Sequence, residues 1–196
     1  LGAPTMIKEI LVKLPRASAV IVGEPTSMNI VNGHKTSIGL STHVRGFEVH
    51  SSLMHQGVSA VMNAGKLVNW ISLQTENNAS TKPNQNDEKF IPPYTTLHVG
   101  LVKGGTAGNI TAKDCKFSLD IRCLPSEDSD GWVQKYKTFA SHIENNMQKV
   151  NDTAKITVTE SHCVPGLKPE PHSFAENLVR KITGKNGTEM VSYGTE

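Results

Sequence analysis

Two hydrophobic periods alternate along the middle of the chain. In residues 37–45, Ile38, Leu40 and Val44 alternate with polar residues, which predicts a strand with one buried face. Val61, Ala64, Val68 and Ile71 then recur at helical spacing and predict a helix over 58–75. Alternation returns in 95–102 through Leu97, Val99 and Leu101. It is most regular in 114–123, where Cys115, Phe117, Leu119, Ile121 and Cys123 share a face. Trp132, Tyr136, Phe139, Ile143, Met147 and Val150 form a second helical stripe over 128–150, and a β-branched run at 155–159 closes the segment. The order βαββαβ is the split βαβ plait of the ferredoxin-like class. One face of such a sheet carries both helices, and the other is free to meet a partner or a substrate. The polar segment 77–89, with four Asn, two Lys and Pro83, reads as a mobile excursion.

The flanks follow a different pattern. Residues 4–14 have helical spacing with Pro4 in the first turn, and Pro15 stops them. Residues 17–23 are an unbroken apolar run, the pattern of a strand buried on both faces in a parallel sheet. At the far end, 174–182 predicts a helix capped by Ser173 and stopped by Gly184, and 189–193 a short strand. The predicted fold class is α/β: a ferredoxin-like α+β lid, residues 34–161, inserted between two pieces of an α/β catalytic domain, 1–33 and 162–196.

Composition narrows the partners. The 196 residues are 37% apolar and 19% charged, an ordinary globular balance. Lys plus Arg is 20 against 18 Asp plus Glu, a net charge of +2 with no pull toward nucleic acid or a membrane surface. No apolar run approaches a membrane span and no basic segment leads into a hydrophobic block. Three Cys without a CxxC speak against a disulfide framework and against a thiolate zinc site. A soluble, cytoplasmic protein is expected, with neither nucleic acid nor membrane as partner. The chain begins at Leu1 rather than Met and stops directly after a strand-like run, so it reads as a fragment.

Candidate chemistry has two readings at each position. Of the eight His, His34, His43, His50 and His55 are close in sequence but lack the spacing of a helical zinc pair, so they read as solvated or hydrogen-bonded side chains. Glu24 ends the apolar run, where open α/β sheets bind ligands, or it caps the next turn through Thr26 or Ser27. The Gly-rich stretch 104–109 is a wide hairpin turn, or a loop whose amides approach a ligand. Arg122 shares the polar face of its strand with Asp120: a cross-strand ion pair, or a bidentate anchor for a carboxylate.

In order along the chain, Gly23-Glu24-Pro25-Thr26, His34-Lys35, Val44-Arg45-Gly46, His50-Ser51-Ser52, Gly57-Val58, residues 104–110, Asp120-Ile121-Arg122 and Tyr193-Gly194-Thr195-Glu196 resemble the two-zinc aminoacylase/carboxypeptidase metallopeptidases. Within that family the acetylornithine deacetylase branch is nearest in pattern. The resemblance implies a zinc pair, with cobalt able to replace zinc, and Glu24 as one ligand. It implies that His50 reaches the active site of a partner subunit and donates to the oxyanion of the tetrahedral intermediate. Asn109 and Arg122 would bind substrate, Arg122 through its α-carboxylate, and Thr195 and Glu196 would line the pocket. It further implies a homodimer formed through the lid, and hydrolysis of an N-acyl amino acid. N2-acetylornithine, cleaved to ornithine and acetate in arginine biosynthesis, is the expected substrate, with succinyl-diaminopimelate or a dipeptide as alternatives.

The departures matter as much. The family also requires a His-x-Asp pair, a bridging Asp, a Glu-Glu pair and a late His, and none of these is present. Two expectations follow: a central fragment, inactive and without its zinc when isolated, or a non-catalytic βαββαβ module that dimerises or binds a small ligand.

Overall fold

The computed structural model describes residues 7–9, 13–170 and 173–194. Its strands are β1 (Ile30–His34), β2 (Thr36–Arg45), β3 (Thr96–Gly104), β4 (Asp114–Cys123), β5 (Lys155–Val164) and β6 (Thr188–Val191). Its longer helices are α1 (Ala60–Ser80), α2 (Ser129–Gln148) and α3 (Phe174–Thr183). Contacts divide the chain into two units. One runs to Asn32 and includes Pro169–Glu189; the other holds Gly33–Lys168 and the residues from Met190 onward.

The larger unit contains the predicted plait. Its four strands lie in the order β3-β4-β2-β5, all antiparallel, which is the ferredoxin-like arrangement. Hydrophobic pattern fixes the register: Ile38 faces Ile121, Leu40 faces Leu119 and Val44 faces Cys115. A slip of one residue would turn this whole set toward water. α1 and α2 cover that apolar face, burying Leu67, Ile71, Val133, Tyr136 and Ile143 against it. A fully buried aliphatic side chain of this kind stabilises the fold by about 1.5–3 kcal/mol. The Ser59 hydroxyl caps α1 by accepting the Met62 amide at 3.3 Å.

Several elements differ from expectation for identifiable reasons. α1 runs past residue 75 because its polar last turns are tethered to β3. The Thr75 hydroxyl exchanges two hydrogen bonds with the main chain of Leu97, both 2.9 Å, and Asn78 Nδ2 donates to the Thr95 carbonyl at 2.8 Å. Residues 77–89 are therefore no free excursion: the segment begins inside α1, and Asp87 and Phe90 are buried at 2% and 1% exposure. Asp87 accepts from the Ser126 hydroxyl at 2.8 Å, which ties the loop down. β5 continues to Val164, beyond the predicted 159, because a register shift opposite Gly39 and Leu40 breaks the alternation without ending the pairing.

In the smaller unit, α3 is capped as predicted: the Ser173 hydroxyl accepts the Glu176 amide at 3.2 Å, and Gly184 ends the helix at φ 70°. Glu176, 6% exposed, accepts from Asn32 Nδ2 and pairs with Arg180. The helix predicted over 4–14 falls largely outside the described residues, of which 7–9 are helical. The strand predicted at 17–23 is a correction. No strand forms there, and Val20, Ile21 and Val22 are 75%, 54% and 60% exposed. A run that is apolar on both faces needs strands on either side, and no described strand pairs with it. Instead β1, which the sequence pattern did not reveal, pairs with β6 in a two-stranded sheet.

Candidate functional site

Beyond β2 the chain leaves the sheet in a loop closed at its base. Gly46 donates to the Lys113 carbonyl at 2.7 Å, Phe47 and Val58 exchange two 2.9 Å bonds, and Ala60 donates to the Ala112 carbonyl at 2.7 Å. The closure is tight: a Cβ on Gly46 would overlap the Val58 carbonyl, so only glycine fits. Between these clamps the loop pairs with the segment leading into β4. His50 bridges Ile110, the Thr111 amide donates to the Val49 carbonyl at 2.9 Å, and the Ser51 amide donates to the Asn109 carbonyl at 2.8 Å. The Thr111 hydroxyl, 9% exposed, accepts the Val49 amide at 2.8 Å and faces the carbonyls of Phe47 and Val49 at 3.0 and 3.2 Å.

This pairing places His50 and Asn109 together, both with exposed side chains. His50 caps a short 3₁₀ turn, Ser51–Gln56. Its Nδ1 accepts the Ser52 amide at 3.3 Å and lies 2.8 Å from the Ser52 hydroxyl, while its Nε2 has no partner among the described residues. The Gly-rich stretch is a hairpin connection between β3 and β4, in which Gly105 supplies a φ of +83° that a side chain would strain.

Arg122 stands apart from this pair. It lies on the open face of the sheet, opposite Ser37 on β2 and Thr96 on β3. Its Nε donates to Asp120 Oδ2 at 2.9 Å. The ion pair therefore exists, yet it engages only Nε and leaves the two terminal amino groups without a partner among the described residues. Beside it, His98, Asp120, Gly39 and His162 form one row across all four strands. His162 lies over Gly39, where a Cβ would overlap its ring, and its Nε2 is 3.2 Å from the Ser37 hydroxyl. Asp114, at the start of β4, lies eight residues from Arg122, roughly 27 Å of strand at ~3.4 Å per residue. The His50–Asn109 pairing lies beyond Asp114 in the direction away from Arg122.

Burial sets the remaining electrostatics. Lys35 has no exposed surface, and its Nζ donates to the carbonyls of Pro92 at 2.8 Å and Tyr94 at 2.6 Å. Desolvation lowers its pKa to about 8, against the opposing pull of Cys123, Glu127 and Asp87. Burial raises Cys123 and Tyr136 to about 12 each, and lifts Cys115 and Cys163 as well. His34-Lys35 thus serves the architecture: His34 is buried, and Lys35 holds the 91–94 segment.

Glu24 is exposed, and its carbonyl accepts the Thr26 amide at 2.8 Å. Thr195 and Glu196 lie outside the described residues. Among the described residues no three His, Cys, Asp or Glu side chains gather to hold a metal ion, so a zinc pair does not fit the groups present. No helix among them is long and apolar enough to cross a membrane. The sequence did not single out Ser52, Thr111, Gly39 or His162. Only Ser52 carried a signal, as part of His50-Ser51-Ser52; the others depend on pairing between distant segments.

Comparison with known proteins places this geometry in context. Residues 32–148 match the peptidase dimerisation domain of the M20 family. Over 184 residues the chain is 29% identical to an acetylornithine deacetylase of Myxococcus xanthus, covering 93% of this chain and 46% of that protein. It is 32% identical over 184 residues to an acetylornithine deacetylase of Shigella sonnei, covering 92% and 45%. The chain thus spans about half the length of the curated relatives it matches. Its fold resembles a tripeptidase from Staphylococcus aureus, with a TM-score of 0.64 at 23% identity over 96% of this chain and 47% of the other. It also resembles aminopeptidase PepT from Bacillus cereus, with a TM-score of 0.61 at 21% identity over 86% and 40%.

Proposed function

The chain belongs to the M20 peptidase dimerisation domain family, and from that premise we propose that it is the lid of a longer amidohydrolase whose active site is shared between two copies. The observation that carries the reading is the distance between its polar groups. Asp114, at the end of β4 from which the His50–Asn109 pairing continues, lies eight residues from Arg122, roughly 27 Å of strand at ~3.4 Å per residue. An acylated amino acid is far shorter than that. One substrate can meet both sets only if His50 and Asn109 come from one copy and Arg122 from another.

The chemistry of each group supports this division. Hydrolysis of an amide by water passes through a tetrahedral intermediate whose oxygen gains negative charge, and a donor placed there lowers the barrier. The unpartnered Nε2 of His50 is suited to that role, and Asn109, whose carbonyl accepts the amide of the next residue, Ser51, is proposed to bind the substrate. The free amino groups of Arg122 can take an α-carboxylate in bidentate fashion while Asp120 holds Nε and fixes the plane of the guanidinium. A second copy has a surface to meet. β3 is an edge strand with Leu101 and Val102 exposed, and α1 beside it exposes Val61 and Met62.

N2-acetylornithine, released as ornithine and acetate in a cytoplasmic route to arginine, is the substrate proposed, in keeping with the names of the two curated relatives. The zinc pair, or cobalt in its place, would be held by residues of the longer protein, to which this chain would lend Glu24. Thr195 and Glu196 are proposed for the pocket wall. The test is a substrate profile of the full-length enzyme. The highest kcat/KM is expected for N2-acetylornithine, and a clear preference for succinyl-diaminopimelate or a dipeptide would reject that assignment. In the same enzyme His50→Ala should lower kcat by about two to three orders of magnitude.

A further inference from the structure

The hydrogen bonds around His50 determine which ring nitrogen carries its proton. Two groups of Ser52 meet Nδ1: the main-chain amide at 3.3 Å and the hydroxyl at 2.8 Å. A hydroxyl can donate or accept, so it would suit either tautomer. A main-chain N–H can only donate, and it needs a lone pair on Nδ1. In the neutral ring the proton then sits on Nε2, the nitrogen with no partner among the described residues.

We infer that Ser52 is a positioning residue that holds His50 in its Nε2–H tautomer, so that the ring presents a donor to its surroundings. This rests on the oxyanion role proposed above for His50. The opposite tautomer would aim a lone pair at the developing negative charge and repel it. Ser52 does not touch the substrate in this account. It acts by satisfying Nδ1 and by fixing the ring over the turn that His50 caps.

The test reads the ring nitrogens directly, by long-range proton–nitrogen correlation on this chain labelled with 15N-histidine, under alkaline conditions where imidazole is neutral. His50 should show an unprotonated Nδ1 and a protonated Nε2. Ser52→Pro, which removes the main-chain donor, should raise the Nδ1–H population several-fold, whereas Ser52→Ala, which keeps that donor, should leave Nδ1 unprotonated. A protonated Nδ1 in the native chain overturns the inference even if Ser52→Pro does not fold. Ring shifts unchanged in folded Ser52→Pro overturn it too. In the full-length enzyme Ser52→Pro should lower kcat several-fold with little change in KM. The expected tautomer combined with undiminished kcat in His50→Ala would instead sink the oxyanion role while leaving the tautomer assignment standing.

Discussion

The main-chain amide of Ser51 donates to the carbonyl of Asn109 at 2.8 Å, which joins the His50 loop and the Gly-rich hairpin into one ledge at the end of the sheet. The two segments are 58 residues apart in the chain, and the hydroxyl of Thr111 is the buried polar node between them, with an exposed bond from the Thr106 hydroxyl to Glu48 at 3.3 Å beside it.

Removing that node should be costly. Thr111→Val keeps the shape but leaves the part-buried Val49 amide without its partner, against about 1–3 kcal/mol for a fully buried donor. Thermal unfolding should shift down by several degrees. In the full-length enzyme kcat should fall together with stability, because His50 and Asn109 lose their common support. An unchanged midpoint would show that the hydroxyl is dispensable.

Gly39→Ala should disturb the open face. The new methyl would overlap the His162 ring and push it from the Ser37 hydroxyl, now 3.2 Å away. Overpacking of this kind typically costs about 1–3 kcal/mol. The Ser161 hydroxyl meets the same methyl, so a second substitution, His162→Ala, should recover part of the loss by making room on the ring side. If the double variant is no more stable than Gly39→Ala, the clash does not control the site.

Lys35 gives stability a distinctive pH dependence. Its pKa is about 8 in the folded chain and 10.5 as the ordinary value, so between these the unfolded chain binds more protons. Its contribution to stability therefore grows as pH rises through that window and is lost as pH falls through about 8. Cys123 and Tyr136, raised from 9.0 and 10.0 to about 12, act in the opposite sense in the upper part of the window. The difference between native chain and Lys35→Met isolates the lysine. Relative to native, Lys35→Met should lose stability as pH rises from about 8 toward 10.5, measured by denaturant titration across that range. A pH-independent difference would show that Lys35 is charged in both states.

Arg122→Lys should separate binding from folding. The ion pair with Asp120 is partly exposed and contributes little to stability, whereas the forked contact to a carboxylate is lost outright. In the full-length enzyme KM should rise with the unfolding midpoint nearly unchanged. A lower midpoint with the same KM would assign Arg122 to structure alone.

The plait was legible in the sequence because its signals are local. In β4 each apolar residue from Cys115 to Cys123 faces the helices, and the alternation states this directly. The run at 17–23 misled because hydrophobicity on both faces describes a strand only when neighbours exist to cover it. The last turns of α1 and the far half of β5 were hidden because polar side chains and a bulge carry them, through partners distant in sequence. At the site, His50, Asn109 and Arg122 could be named from motifs. That they lie toward opposite ends of one sheet, and that Thr111 and Ser52 support the first pair, depends on register and hydrogen bonding that no motif encodes.

The shared site can be tested by mixing two inactive full-length variants, His50→Ala and Arg122→Ala, under conditions that exchange subunits. If the two residues serve one substrate from different copies, a mixed dimer has one intact site, and the equal mixture should recover about a quarter of native activity. If both residues act from the same copy, every site in the mixed dimer lacks one of them. Activity no higher than that of the separate variants, with subunit exchange verified, would contradict the account.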